Sequence, residues 1–204
     1  MADVIDVTRH PAGDDAQDEA LPAFYFDLGS PESYLVAERI LSTMPVPCEW
    51  IPVRASALGG AEGLGIVDRD AIERRAAELE LQAVVWPATV PFDSDMAQRA
   101  ATYAKGIGRV VAFTLAAFRQ AYAGGRDLAA PDHVLIAGAA CEMHPAAILK
   151  GIETRGVRGA LDDATALAAE RGVRSVPAIW TGTETLHGEA ALDRAAALLA
   201  ETRP

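Results

Sequence analysis

The order of signals along the chain predicts an α/β fold: a β-α-β start and a β-β-α finish enclosing an all-helical insertion. Three observations carry this. A short aromatic run, Ala23-Phe24-Tyr25-Phe26-Asp27-Leu28, stops at Gly29 as a buried strand does. A long middle stretch, roughly a hundred residues without a strand signal, is not what repeated β-α-β units would give. A proline-led apolar run, Pro177–Trp180, then turns tightly at Thr181-Gly182-Thr183-Glu184 and returns as Thr185-Leu186-His187.

Each element has its own justification. After the first strand, Ser30 fits a helix N-cap, Pro31 the first helical position and Glu32 the acid favoured in the first turn. Tyr34, Leu35, Ile40 and Leu41 continue an apolar stripe to Met44, where Pro45 stops it. Cys48–Val53 reads as a second strand, with Pro52 placing it at an edge or bulge. Helices are expected over Asp68–Leu81, over Ser94–Tyr122 with a break at Gly106 and Gly108, over Pro131–Met143, over Pro145–Glu153 and over Leu161–Arg171. Trp86-Pro87 to Val90-Pro91 is a proline-pinned loop, and Glu189–Thr202 closes the chain as an Ala/Leu-rich helix. Residues 1–20 read as a mobile acidic tail, in which Val4–Val7 alone could form an edge strand. The expected division is therefore a tail over 1–20, a strand-bearing domain from 21–55 and 172–204, and an inserted helical domain over 56–171.

Composition narrows the function classes. The net charge of −11 disfavours nucleic acid or an anionic membrane as partner, because both carry dense phosphate. The first twenty residues hold six acids against Arg9 and so supply −5 of that charge, leaving the body mildly acidic. No apolar run is long enough to cross a bilayer, and Met1–Ala20 has no basic start followed by an apolar stretch, so a cytoplasmic location is expected. Cys48 and Cys141 lie far apart with no metal-ligand spacing around either; reduced thiols and no metal site are expected.

Two places could carry chemistry. Ser30 sits where a buried strand meets a helix N-terminus, beside unpaired peptide N–H groups and the positive end of the dipole, a setting that favours a thiolate or another anion. The plain alternative is that Ser30 only caps its helix. Val176-Pro177 starts a strand with a residue that cannot donate a ladder bond. A cis bond there would turn the Val176 backbone outward to pair with an extended ligand, whereas a trans bond would make it an ordinary strand start. Trp86 and Trp50 could line an apolar pocket, although tryptophans usually fill cores. His133, His144 and His187 have no carboxylate at triad-like spacing. Arg74, Arg75, Arg155, Arg158, Arg171 and Arg174 read most simply as exposed helix charges.

Taken together, Tyr25-Phe26-Asp27 running into Ser30-Pro31-x-Ser33-Tyr34, and Gly172-Val173-x-x-Val176-Pro177, resemble the thioredoxin-like fold of the DsbA family. The nearest branch by these motifs is the 2-hydroxychromene-2-carboxylate isomerase and kappa-class glutathione transferase group, over about residues 23–203. The resemblance makes the strand-bearing part thioredoxin-like. It places Ser30 where redox members carry the first cysteine of CxxC. With Ser30, Pro31, Glu32 and Ser33 at this turn, disulfide exchange is not expected. It implies instead a thiol-dependent isomerase or transferase, in which Ser30 donates to the sulfur of glutathione or another low-molecular-weight thiol. Gly29, Pro31, Ser33, Tyr34, Trp86, Asp93, Val176, Pro177, Gly188 and Glu189 would surround the thiol and a small organic substrate, and a homodimer is expected. Two departures stand out. His187-Gly188-Glu189-Ala190 replaces the Trp-Gly-polar-Asp run that grips the γ-glutamyl end, so Glu189 would have to substitute there. Pro91-Phe92-Asp93 puts a carboxylate where the family has asparagine. These departures favour the rival reading, a non-catalytic thioredoxin-fold protein that binds a peptide or small ligand. A third reading, dithiol chemistry through Cys48 and Cys141, requires their Cα atoms to approach within about 7 Å.

Overall fold

The computed structural model describes residues 21–59 and 67–201; the expected acidic tail and the Val4–Val7 strand lie outside them. The chain runs β1 (Ala23–Phe26), α1 (Pro31–Thr43), β2 (Glu49–Pro52), a 3-10 turn (Ala55–Ala57), α2 (Arg69–Glu78), α3 (Asp95–Gly106) and α4 (Val110–Phe118). A π-helical turn (Arg119–Ala123), α5 (Pro131–Ala139), α6 (Pro145–Ile152), α7 (Arg155–Glu170), β3 (Ala178–Trp180), β4 (Thr185–His187) and α8 (Ala191–Glu201) follow. The four strands form one sheet in the order β2-β1-β3-β4. β1 pairs parallel with β2 and antiparallel with β3, and β3 pairs antiparallel with β4. This is the mixed α/β thioredoxin-like architecture that the sequence predicts.

Strand alternation sends successive side chains of β1 to opposite sheet faces, and each face has its own cover. Phe24, Phe26, Trp50, Ile179 and Leu186 join α1, α8 and the helices α3 to α6 in the larger core. Ala23, Tyr25, Ile51, Val53 and Ala178 form a smaller core with Val173 and with Ala168 of α7. α7 therefore lies on the sheet's second face, although it belongs in sequence to the stretch between the second and third strands. It also begins six residues before the expected Leu161. Gly156 and Gly159 weaken the helical signal there, but Thr154 caps the start by accepting the Val157 N–H, and Leu161, Thr165 and Ala168 bury the inner face. The stripe of α1 also differs from expectation at its end. Ile40 is buried, whereas Leu41 is 65% exposed.

Gln98 of α3 fastens the inserted helices to the sheet. Fully buried, its amide nitrogen donates to the carbonyls of Phe26 and Val53, at 3.0 and 2.6 Å, while its amide oxygen accepts the Leu28 N–H at 3.2 Å. These three backbone groups lie just where β1 and β2 stop pairing; the Phe26 carbonyl also accepts the Val53 N–H at 3.0 Å, whereas the Val53 carbonyl and the Leu28 N–H find their partner in Gln98.

Candidate functional site

The turn Asp27–Ser30 carries the chain from the sheet into α1, and local hydrogen bonds fix it. Ser30 N–H donates to the Asp27 carbonyl at 2.9 Å. Ser30 Oγ accepts the Ser33 N–H at 3.1 Å, the bond expected of an N-cap, and Pro31 occupies the first helical turn. Ser30 is 4% exposed. Its oxygen is used as an acceptor, and among the described residues no group accepts its hydroxyl proton. The hydroxyl lies at the positive end of α1. Ser33 Oγ, one turn on, is buried and has no hydrogen-bond partner among the described residues.

The Val176-Pro177 step flanks this turn. Tyr25 pairs with Ala178, the residue that follows Pro177, at the last paired position of β1 and β3. The Val176–Pro177 peptide bond is cis, as is Val90–Pro91. Pro177 is buried, and its carbonyl accepts the Gly188 N–H at 2.9 Å, bringing Gly188 and then Glu189 to the same end of the sheet. Gly188 turns there with φ +81°, a conformation that disfavours any side chain.

Glu189 is placed differently from the role that the family resemblance implies for it. Its Oε1 accepts from Arg39 Nη1 at 2.6 Å and its Oε2 from Arg75 Nε at 2.8 Å. Two guanidinium groups already neutralise this carboxylate, so it does not stand free to hold an ammonium group. The same contact corrects the reading of Arg75 as a plain exposed charge, since it ties α2 to the start of α8. Arg171 is likewise more than a surface charge: its guanidinium lies 3.9 Å over the Trp180 ring and donates to the Tyr25 hydroxyl at 2.8 Å. Glu32, on the solvent side of the turn, has its carboxyl pushed up by partial desolvation and by Glu189.

Beneath the turn lies Asp27, a residue whose importance the sequence reading missed. It is 3% exposed. Oδ1 accepts the Gly29 N–H at 2.9 Å and the Ser94 hydroxyl at 2.6 Å, and Oδ2 accepts the Ala55 N–H at 3.0 Å. Burial raises its pKa; the three donors oppose that shift, and Asp93 adds to it. An acid inside an otherwise apolar, aromatic run was the available signal. Asp93 itself is exposed, its Oδ1 accepting the Asp95 N–H at the start of α3.

An aromatic row extends from the turn. Tyr34 stacks near Tyr122, with ring centroids 5.6 Å apart, and Tyr122 meets Trp86 edge-on at 6.1 Å and Phe92 at 6.2 Å. Tyr122 also donates to the Leu28 carbonyl at 3.4 Å, which ties the row to the turn. Trp86 is half-buried, donates to Glu73 at 2.6 Å and carries the Arg69 guanidinium 5.2 Å over its ring. Trp50, by contrast, is core, 2% exposed against Phe24 and Phe26.

The cysteines take no part in the turn. Cys48 precedes β2 and Cys141 follows α5; both are free thiols, with no disulfide between them. Burial pushes the Cys48 thiol up to about 12 and raises that of Cys141, so neither is a ready thiolate at neutral pH. Among the described residues no cluster of His, Cys, Asp or Glu could hold a metal ion, and no helix is long and apolar enough to cross a membrane.

Comparison with known proteins agrees with this architecture. A family model described as the DSBA-like thioredoxin domain matches residues 23–200. Among solved structures, 2-hydroxychromene-2-carboxylate isomerase superposes with a TM-score of 0.77 at 19% identity, over 89% of this chain and 95% of that one. The cytosolic disulfide reductase DsbM from Pseudomonas aeruginosa gives 0.60 at 15% identity, over 89% and 98% of the two chains. The oxidoreductase DsbA from Xylella fastidiosa gives 0.58 at 14% identity, over 88% and 83%. At these identities the likeness is one of fold. No curated protein sequence matches the chain.

Proposed function

Since this chain belongs to the DSBA-like thioredoxin domain family yet carries no thiol at the turn where dithiol members need two, we propose that it is a thiol-dependent isomerase or transferase. Ser30 holds the sulfur of glutathione or another low-molecular-weight thiol, and a small organic substrate lies along the aromatic row. The observation that carries the reading is the Ser30 hydroxyl: buried, capping α1 through its oxygen, with no acceptor for its proton among the described residues.

Donation from Ser30 and the helix N-terminus both stabilise a bound thiolate over the thiol, and lower its pKa without any metal. The thiolate adds to an electrophilic carbon of the substrate, and a new S–C bond forms. In an isomerisation that bond breaks again after rotation about the substrate's former double bond, and the thiolate is regenerated. In a transfer a leaving group departs with the electron pair instead. Val176, immediately before the proline that leads into β3, supplies backbone groups to the thiol's peptide portion. Trp86, Tyr34 and Tyr122 provide the apolar wall, and Arg69 over Trp86 supplies a counter-charge for an acidic substrate.

Calorimetric titration with reduced glutathione and with cysteinylglycine, on the natural protein and on Ser30→Ala, tests this. Because Arg39 and Arg75 occupy Glu189, the two thiols should bind with similar affinity, and Ser30→Ala should weaken both. Undetectable binding of either thiol, or equal binding by Ser30→Ala, would sink the proposal. Two observations favour the rival reading, a non-catalytic binding protein: Glu189 is held by Arg39 and Arg75, and Asp93 presents an exposed carboxylate ahead of α3. A thermal shift with a non-thiol ligand and none with thiols would favour it.

A further inference from the structure

The second face of the sheet holds a cavity that plays no part in the site at Ser30. It measures about 430 Å³ and lies between β2, α3 and α7. Ile51 and Pro52 form its strand wall, and Ala160, Ala164 and Leu167 its helical wall. Leu167 stands at 42% exposure, an apolar side chain left in water beside an apolar hollow.

Polar groups gather at the Glu49 end. Lys105, in the last turn of α3, reaches Glu49 only at 3.9 Å, the outer limit of an ion pair, and both side chains are more than a third exposed. Tyr25, 0% exposed, lines the same cavity. Its oxygen accepts from Arg171, and among the described residues nothing accepts its proton. Burial raises the Tyr25 pKa, so the phenol remains a donor at neutral pH. Arg171 stacks on Trp180 and has no carboxylate partner among the described residues. Among the lining residues, Lys105 is thus a cation that Glu49 holds only loosely, at one end of a long apolar wall.

We propose that this cavity is a second ligand site, which takes a small monocarboxylate with an apolar body. The carboxylate pairs with Lys105, which releases Glu49 to solvent, and the apolar body covers Leu167 between α7 and β2. An apolar enclosure with a few converging polar groups is the usual build of such a site.

Calorimetric titration of the whole protein with octanoate, with octan-1-ol as the neutral match, tests this. Octanoate should bind one to one. Lys105→Met, at an exposed position that leaves the fold intact, should weaken it about fivefold, the worth of one partly exposed ion pair. Octan-1-ol should bind at least as much more weakly, and Ala164→Trp, which fills the hollow, should abolish binding while circular dichroism confirms the helical content. Ser30→Ala should leave octanoate affinity unchanged, which separates this site from the thiol site. Absence of heat up to about 10 mM octanoate, a span that covers even weak affinities, would overturn the proposal. Equal binding by Ala164→Trp, or alcohol bound as tightly as acid, would overturn it equally.

Discussion

Replacing Asp27 by asparagine separates two opposing influences on the turn that carries Ser30. Three donors converge on this carboxylate, two of them peptide N–H groups, from Gly29 and Ala55. Asparagine can keep its oxygen against Gly29 and Ser94 but sets an amide N–H₂ against Ala55, orphaning one buried donor at a cost of about 1–3 kcal/mol. Alanine orphans both peptide donors, about 2–6 kcal/mol by the same reckoning, a large share of the stability of an ordinary domain. The pH dependence is the sharper test. Burial holds the Asp27 carboxyl above its ordinary 3.8, with the three donors pulling the other way. A group whose folded pKa is raised binds its proton more tightly in the folded state. Its contribution to stability is complete below the unfolded value and is lost as pH rises through the folded one. Asparagine does not titrate, so the stability advantage of the natural protein over Asp27→Asn should be largest in acid and shrink towards alkaline pH. Urea denaturation of both proteins across that range measures it, and groups shared by the two cancel. An advantage that grows with pH would show that the three donors outweigh burial and would refute the reasoning.

Further predictions concern the turn, the insertion and the arginine clamp. Ser30→Cys should place a thiol at the start of α1, alkylated by iodoacetamide under mildly acidic conditions in which Cys48, pushed up to about 12, stays untouched; peptide mapping that finds no modification at position 30 would deny the helix-end effect. Gly151→Ala brings a Cβ within 2.5 Å of the Tyr103 ring between α6 and α3, and should cost about 1–3 kcal/mol in urea denaturation. Glu189→Gln removes the charge shared by Arg39 and Arg75 and should cost about 1 kcal/mol, since Arg75 is partly solvated. Its loss should shrink in high salt, and salt-insensitive destabilisation would mean that packing dominates at the start of α8.

The sequence reading succeeded where one residue type has one local use. Ser30 and Pro31 at the start of α1, Gly108 with φ +72° at the break before α4, and proline at the start of α5 and α6 all act within a turn of themselves. It failed where a polar side chain serves distant backbone. Asp27 bonds Ala55 and Ser94, and Gln98 bonds three groups on β1 and β2; spacing along the chain carries no trace of either. Glu189 shows the same limit from the other side. A carboxylate beside Gly188 looks available to a ligand until folding brings Arg39, 150 residues away in sequence, and Arg75 against it. The second ligand cavity was invisible for a related reason, because α7 looks like part of the insertion until it is laid on the sheet.

The Gln98 clip bears on how such a chain can diversify. A recombined gene that swapped the helices between β2 and β3 for those of a relative would carry the thioredoxin-like half over unchanged in sequence. It would still leave the Val53 carbonyl and the Leu28 N–H at the strand ends without the partner that Gln98 supplies, unless the incoming α3 offered an amide at the same height. Helix-for-helix exchange in this lineage is thus constrained at the few positions, Gln98, Ser94 and Tyr122 among them, whose side chains reach back to β1 and the turn after it.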